Sequence, residues 1–536
     1  MPNKRLTKLY DHCKNLKNSS CRKLSEAFKT SKSSIHRMKQ KIQQRSHITG
    51  ADFFESEEGQ KWLIRLMVAC IFVFGIGSTV GADKIAMFFM LIQVTCFIGA
   101  SSGSIKRVQN SVKNIMLEYQ AEQDKHVKDK AKNIEITACA DETFFDETMI
   151  LLLMDLKSGF IFTEESAKDR SHKTWESLTT HWVSRFKTVK CLVCDWAKAL
   201  VKLGKDSYIC VCVADLFHLM TDISNPMRFA FNRKIKSIEK LIKVESNNLK
   251  SYKNKGKTSV QYKESKYKIE SLVKEKAEVL TAQKHYQREF RAMSTTLHPF
   301  LIEDSSRQTS IDAASKMHAG LSQIQSIQDR FKFPDKKNRL ARAGRRITPA
   351  CEQIDLWWDW VSTSLDGAEI EPEQKQWLKS YLLPYVYWKK QINKTRSKEI
   401  KKSYVAACLQ AEQKLMSEPV SKVMNYDKHS PWYQWAISMT DWFQRTSSAV
   451  EGRNGWLSQL HFMGRGFSKD GIQVQTTLHN YWIKRDDGTT ACERLTGIKP
   501  PDLFEYILSR IDSVPEPRKR KQGENDNPLN LQGVPA

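Results

Sequence analysis

The chain has 536 residues, of which 40% are hydrophobic, which is enough for roughly two to four folded domains and excludes a wholly disordered protein. Its formal net charge is +26, so we expect a polyanionic partner, nucleic acid first and an anionic membrane second. The first residues are polar and basic and predict no secretory signal, so the 12 cysteines are expected to be reduced.

Residues 1–50 are predicted to form a helix–turn–helix DNA-binding region. Apolar spacing indicates two short helices, the second capped by Ser31, and the positions that carry this pattern are Leu24, Ala27, Phe28, Ile35, Met38 and Ile42. The second helix has a cationic outer face that we expect in a DNA major groove, made of Lys32, Ser33, His36, Arg37, Lys39 and Lys41. The alternative is an ordinary basic helical hairpin with a solvated face.

Residues 51–133 are predicted to be helical, with two apolar runs between 62 and 100. Each run falls short of the roughly 20 residues that a membrane-spanning helix needs, and Asp83 and Lys84 lie between them. We therefore expect two helices buried against each other and no membrane contact. A membrane-anchored basic protein is the alternative that this region leaves open.

From residue 134 to 218 the pattern changes to short β-branched and apolar runs, which predict strands at 134–139, 148–154, 159–163, 189–194 and 208–213. Helices are predicted at 172–186 and 197–203. The order is βββαβαβ, with Asp141 after the first strand and Asp195 after the fourth. We interpret this order as an α/β ribonuclease H-like core, with an all-α N-terminal region and a large all-α insertion in a predominantly helical chain.

Four cysteines of this segment are expected to be core residues. Cys191 and Cys194 have CxxC spacing, but no second pair or HxxxH follows nearby, so zinc is not expected there. Cys210 and Cys212 alternate along another strand.

Residues 219–440 are predicted to be a helical insertion. Long paired helices are expected over 225–295, with a break near 254–256. The basic stretch 332–347 is interpreted as a linker, either a phosphate-binding surface or a solvated loop. Aromatic residues of this region are expected to pack between helices rather than to stack on bases, and they include Trp357, Trp358, Trp360, Trp377, Trp388, Trp432, Trp435 and Trp442.

Residues 441–512 are predicted to return to the core on a helix that Ser447 or Ser448 caps and that carries Glu451. Residues 513–536 are interpreted as a disordered basic tail. Asp141, Asp195 and Glu451 are the candidate catalytic residues and metal ligands, because a few carboxylates suffice for Mg²⁺. Taken singly, each acid could be a loop or cap carboxylate. Two ions about 3.5–4 Å apart would serve phosphodiester cleavage.

The motifs together resemble the DDE transposases of bacterial insertion sequences whose core is split by a helical insertion. The resemblance rests on ADET with Asp141, VCDWAKAL with Asp195, ADLFH with Asp215 and His218, SSAVEGRNGWLS with Glu451, and DDGTTACERLTG at 486–497. It implies cleavage at transposon ends that depends on Mg²⁺, or on Mn²⁺ in its place, and transfer of the 3′-hydroxyl into target double-stranded DNA. It also implies a homo-oligomer on the DNA, in the bacterial cytoplasm at the nucleoid. Trp196 departs from the small residue or His that many related enzymes have there.

Four further residues are auxiliary candidates. Asp215 is an alternative second metal ligand, and His218 either positions DNA or the active site or is a core residue. Arg453 and Asn454 are expected at the DNA backbone, although Arg453 could instead pair with an acid in the core. Lys198 is a weaker candidate for phosphate contact. A catalytically silent DNA-binding protein derived from a transposase is the alternative function.

Overall fold

The computed structural model describes most of the chain, namely residues 20–45, 50–253, 257, 259–335, 337–395, 397–443, 448–464 and 468–517. This part is predominantly helical and contains a mixed sheet of five strands. Residues 1–19 of the predicted DNA-binding region and residues 518–536 of the predicted tail lie outside the described residues, as do the predicted helix break at 254–256 and the cap at Ser447.

The predicted helix–turn–helix spacing is present as α1 (Cys21–Ala27) and α2 (Lys32–Arg45). Leu24 and Ile35 are buried together, and Phe28, Met38 and Ile42 pack against them. The Ser34 backbone N–H donates to Ser31 Oγ (3.2 Å), so the predicted cap is confirmed, whereas Ala27 is exposed rather than on the apolar face. Of the predicted DNA-reading face, Lys32, Ser33, His36 and Arg37 are exposed, Lys39 is half-buried, and the Lys41 side chain lies outside the described residues.

The two apolar runs lie in α4 (Glu57–Cys70), which continues as a π-helical turn (Ile71–Ile76), and in α5 (Ala82–Leu91); α3 (Ala51–Glu55) precedes them and α6 (Ser102–Lys130) follows. Both runs contribute to one core, as predicted: Met67 and Phe72 from the first and Phe89 from the second are buried there. Among the described residues, Glu57–Ile76 is the one helix long and apolar enough to cross a membrane by length and composition, and half of its apolar window is buried inside the protein.

The sheet consists of β1 (Glu135–Phe145), β2 (Thr148–Asp155), β3 (Ile161–Ala167), β4 (Thr188–Cys194) and β5 (Val211–Ala214), in the spatial order β3-β2-β1-β4-β5. The first three strands are antiparallel, whereas β4 runs parallel to β1 and β5 parallel to β4. Helix α7 (His172–Val183) precedes β4, and α8 (Lys198–Lys202) with a π-helical turn (Leu203–Ser207) precedes β5. The predicted order of strands and helices is therefore confirmed.

Strand β1 is longer than predicted, and Asp141 lies inside it rather than after its end. The antiparallel pairing with β2 continues past Asp141, which lies opposite Leu152, to the pair Phe145 and Thr148. The parallel pairing with β4 stops earlier, at Cys139 and Val193. Asp141 consequently lies where β1 has lost one neighbour and kept the other, so its carboxylate has a rigid backbone and one open side.

The predicted paired helices are α9 (Leu216–Lys253) and α10 (Val260–Thr296), which run antiparallel. Ion pairs Lys234–Glu275, Lys276–Glu239 and Lys268–Glu245 join them in antiparallel register. Further helices of the insertion are α11 (Ser310–Phe331), α12 (Arg339–Cys351), α13 (Gln353–Asp366), α14 (Pro372–Trp377), α15 (Leu383–Lys394), α16 (Lys398–Ser417) and α17 (Pro431–Trp442). All eight tryptophans predicted to be packing residues are buried in this core or packed against it.

The interpretation of 332–347 as a linker is wrong for most of its length, because residues from Arg339 onward form α12. Leu340, Ala343 and Ile347 recur at helical spacing and are buried, so burial of this stripe stabilises a helix in a stretch whose charge suggested a loop.

The C-terminal segment consists of α18 (Ser448–Gly464), α19 (Lys469–Tyr481), α20 (Ala491–Thr496) and α21 (Leu503–Ser509). Its attachment to β3 is polar and buried. The Asn480 side chain accepts from the Ile161 N–H and donates to the Ile161 carbonyl, both at 2.9 Å. Arg453 donates twice to the Glu164 carboxylate (2.7 and 2.6 Å), and Thr476 Oγ1 donates to it as well.

We expect Glu164→Gln to lower the free energy of unfolding by about 3–5 kcal/mol, because it leaves the buried Arg453 guanidinium without its counter-charge. The measurement is urea unfolding followed by circular dichroism. The matched control is Glu57→Gln, which breaks an exposed ion pair with Lys61 and should change stability little. Equal effects of the two substitutions would contradict the assigned role of the buried pair.

Candidate metal centre

Asp141, Asp195 and Asp215 lie near one another in the sheet, just beyond a row of neighbouring side chains on β1, β4 and β5. Cys139 lies beside Val193, and Val193 lies beside Val213. Side chains two residues apart on a strand point to the same face. Asp141 lies two residues after Cys139, and Asp195 and Asp215 directly follow the ends of β4 and β5, so the three acids lie at the same edge of the sheet.

Helix α18 covers this face and brings Glu451 to the row. Val450 is buried in the small apolar cluster that contains Cys139, Val193 and Val213. Since Glu451 is the next residue, the packing of Val450 fixes its position over the strand ends. One helical turn later, Asn454 Nδ2 donates to Asp141 Oδ2 (3.0 Å) and ties the helix directly to the strand.

Helix α9 contributes His218. Asp215 caps this helix, since the Phe217 N–H donates to Asp215 Oδ1 (2.9 Å). The other carboxylate oxygen, Oδ2, lies 2.7 Å from His218 Nδ1, which orients the imidazole ring. His218 Nε2 consequently faces the metal-site side, 3.9 Å from Glu451 Oε1.

Asp141, His218 and Glu451 each offer one ligand atom, and these atoms all lie within 4.8 Å of one another. Two carboxylates and an imidazole form a donor set that can hold a divalent cation without selecting one metal. The structure thus brings together two of the three predicted acids, and it adds His218, which the sequence suggested only as an auxiliary residue.

Asp195 and Asp215 are placed differently. Asp195 Oδ1 accepts from the Ala197 N–H (2.8 Å), so this acid lies in the row but outside the group of three. Asp215 has protein donors on both oxygens, and its geometry suits holding His218 better than the predicted role of second metal ligand.

Binding of a cation at this group is coupled to the release of protons from its ligands. Burial raises the pKa of Asp141 to about 7, and the charge of Glu451 adds to the shift while that of His218 opposes it. Burial also raises the pKa of Glu451. Burial alone would lower the pKa of His218, but the hydrogen bond and charge of Asp215, with the charges of Asp141 and Glu451, raise it to about 9. His218 is therefore cationic at neutral pH and partly neutralises the acids.

Arg453 and Asn454, both predicted to contact DNA, have different surroundings. Arg453 is 3% exposed and committed to Glu164, so it does not reach a DNA backbone, and the alternative of a core ion pair is correct. Asn454 touches the site through Asp141, and its side-chain oxygen is buried without a hydrogen-bond partner. Lys198 is exposed at the start of α8.

Two acids with a part in this arrangement were missed in the sequence. Glu164 anchors α18, and the sequence offers little signal for this, because Glu164 lies beside Glu165 in a strand that also contains Thr and Ser, IFTEESA. Glu142, next to Asp141, forms an ion pair with Arg170. Burial raises the pKa of Glu142, and the negative charge of Asp195 contributes to the shift.

Comparison with known proteins adds one match. Residues 378–523 match the model of DUF6399, a family of unknown function. The matched segment includes Glu451, Arg453 and Asn454 but neither Asp141 nor Asp195. No curated protein matches the chain.

We expect divalent cations to bind more tightly as pH rises through about 7, because Asp141 must lose a proton to become a ligand. Below that pH the apparent affinity should fall by about tenfold or more per unit, and it should continue to rise up to about pH 9, where His218 loses its proton and its imidazole can become a ligand. The measurement is calorimetric titration of the full chain with Mn²⁺ at several pH values. Asp141→Asn should abolish the binding, whereas Asp83→Asn, at an exposed acid on α5, should leave it unchanged. Affinity that is flat across this pH range would contradict the assignment.

Proposed function

We propose that the chain is a DNA transposase of the DDE type, which cuts DNA at transposon ends and joins the 3′-hydroxyl to target DNA. One observation carries the proposal. Asp141 on β1 and the segment of Glu451 and Asn454 on α18 are far apart in sequence, with a separation of 313 positions from Asp141 to Asn454, and they meet at one sheet edge. Asp195 extends the same row of side chains.

The topology supports the proposal. The sheet has three antiparallel strands and then two parallel strands that follow helical crossovers, in the spatial order β3-β2-β1-β4-β5. This arrangement fits the ribonuclease H-like core expected from the sequence. Helices α9 to α17 lie between β5 and the helix that carries Glu451, which fits a core split by a helical insertion.

The residues of the site would hold Mg²⁺, or Mn²⁺ in its place. When bound, two such ions activate a water or a 3′-hydroxyl and stabilise the leaving oxygen of a phosphodiester. Asp141 and Glu451 supply carboxylate oxygens, and Asp195 is the acid nearest in the row for a second ion. Asn454 donates to Asp141 Oδ2 and holds this carboxylate in place. His218, held by Asp215, presents Nε2 beside Glu451 and orients that carboxylate.

Double-stranded DNA is the partner that this function requires. The net charge of +26 favours it, and the exposed cationic residues of α2 give a face suited to a major groove. Pairing of two transposon ends calls for a homo-oligomer on the DNA, in the cytoplasm of a bacterium. The catalytically silent DNA-binding protein remains the second candidate, and the presence of all three acids at one sheet edge favours the enzyme.

Incubation with a labelled duplex that contains the DNA flanking the reading frame should give nicks that require Mg²⁺ or Mn²⁺. We expect Asp141→Ala, Asp195→Ala and Glu451→Ala each to reduce nicking about 100-fold or more, because each removes charge from the place where the reacting phosphate would lie. Asp83→Asn is the matched control and should cut at the unsubstituted rate.

The outcomes separate the two candidates. DNA binding by the folded protein without metal-dependent nicking would identify the silent DNA-binding protein. Nicking that survives all three substitutions would show that the activity comes from elsewhere and would overturn the assigned site.

A further inference from the structure

A cationic groove of about 630 Å³ lies between α8 and α12, beside the metal centre. Its walls carry six basic side chains and one acidic side chain, Asp206. The basic residues are Lys198, Lys202, Lys205, Arg342, Arg345 and Arg346.

The sequence builds each wall from one helical face. Lys198, Lys202 and Lys205 follow one another at intervals of four and three residues, which places them on the same side of α8 and of the π-helical turn after it. On α12 the apolar stripe faces the core, so the three arginines lie on the remaining surface. Two faces of like charge therefore oppose each other across open space.

The repulsion between these basic side chains is only partly offset by acidic side chains of the protein. Asp222 of α9 accepts hydrogen bonds from Arg342 and Arg346 and holds both guanidinium groups in place. Among the described residues, no acid lies within ion-pair distance of Arg345 or of the three lysines. Four unneutralised cations facing one groove indicate a site for an anion that spans several positions.

The groove lies close to the metal centre. Asp222 lies one helical turn after His218 on α9, a rise of about 6 Å. Trp196, which lines the groove, directly follows Asp195, and its backbone has a φ of 67°, so the chain turns sharply away from the row of acids at this point. Arg342 is close enough to Asp195 for the negative charge of that acid to contribute to the raised pKa of the guanidinium, after the hydrogen bond to Asp222.

We propose that this groove binds the sugar–phosphate backbone of the DNA that enters the metal centre, with Lys198, Lys202, Lys205 and Arg345 contacting successive phosphates. The inference rests on the proposed function, since the metal centre gives the DNA its position. Cations on two opposing walls fit a chain of phosphates, whereas an anionic membrane presents a flat surface that cannot enter between the walls. Asp222 is a positioning residue here, because it orients two arginines without touching the DNA.

The test is the salt dependence of DNA binding by the full-length double variant Lys202→Gln/Arg345→Gln. Fluorescence anisotropy with a short labelled duplex of mixed sequence, without divalent cations, gives the dissociation constant at several salt concentrations. Each lost phosphate contact should reduce the magnitude of the slope of log K against log salt by about 0.9. The double variant, which loses two contacts, should therefore have a slope smaller in magnitude by about 2. Its binding at low salt should weaken by about tenfold or more.

The matched control is Lys240→Gln/Lys243→Gln, which removes the same charge from exposed positions of α9, about 27–32 Å further along the helix than Asp222. This variant should keep a slope close to that of the unsubstituted protein. Thermal unfolding midpoints of both variants verify that each is folded.

Three results would contradict the proposal that this groove binds DNA. They are an unchanged slope in the groove variant, an equal loss in the control variant, and a loss of binding to vesicles of anionic phospholipid with none to DNA. The assay uses no metal and scores no cleavage, so it is separate from the nicking experiment. If the unsubstituted protein does not nick DNA but the groove variant shows the smaller salt slope, the groove assignment stands and the transposase proposal fails. If the protein nicks DNA but the groove variant keeps its slope, the transposase proposal stands and the groove assignment fails.

Discussion

The register of β1 against β4 and of β4 against β5 is the constraint on which the candidate site depends. It brings Asp141, Asp195 and Asp215 to the same edge of the sheet, where α9 and α18 add His218 and Glu451 beside Asp141. The charged form of Asp141 is unfavourable here, because burial raises the pKa of this carboxyl to about 7 and the charges of Glu451, Glu142 and Asp195 add to the shift. The surrounding structure relieves this only in part, through His218. A divalent cation would relieve it further, because it favours the charged form of every acid that it touches.

The helical insertion is part of this site and not an appendage to it. Helix α9 begins at its edge, and three residues on the first two turns have distinct tasks. Asp215 caps the helix and orients His218, His218 faces Glu451, and Asp222 holds two arginines of α12. A change in the direction of α9 would therefore move the imidazole and the basic groove together. The insertion and the metal centre are thus coupled through one rigid element.

Much of the fold is predictable from local pattern, and the composition of the site is not. Strand order and helix faces follow from apolar periodicity, so the five strands and the faces of α1 and α2 could be predicted. The true length of β1 could not, because it depends on pairing with β2 beyond the residues that look strand-like. His218 joined Asp141 and Glu451 only because α9 and α18 meet over the same sheet edge, and no local signal encodes that meeting. The many basic residues of α12 suggested a solvated linker, whereas its buried apolar residues at helical spacing make it a helix.

Buried ion pairs connect the other elements to this centre, and their energetics suggest why they are there. Glu164 with Arg453 attaches α18, and Asp222 with Arg342 and Arg346 attaches α12 to α9. Removing charges of this kind from water costs about as much as their attraction returns, so such pairs add little net stability compared with well-packed apolar residues. They do impose direction, since a guanidinium accepts a carboxylate in few geometries. An apolar contact would tolerate a small rotation of α18, whereas the pair of Glu164 with Arg453 resists it. Glu451 lies two residues from Arg453 on that helix, so the orientation of the pair is transmitted directly to the metal ligand.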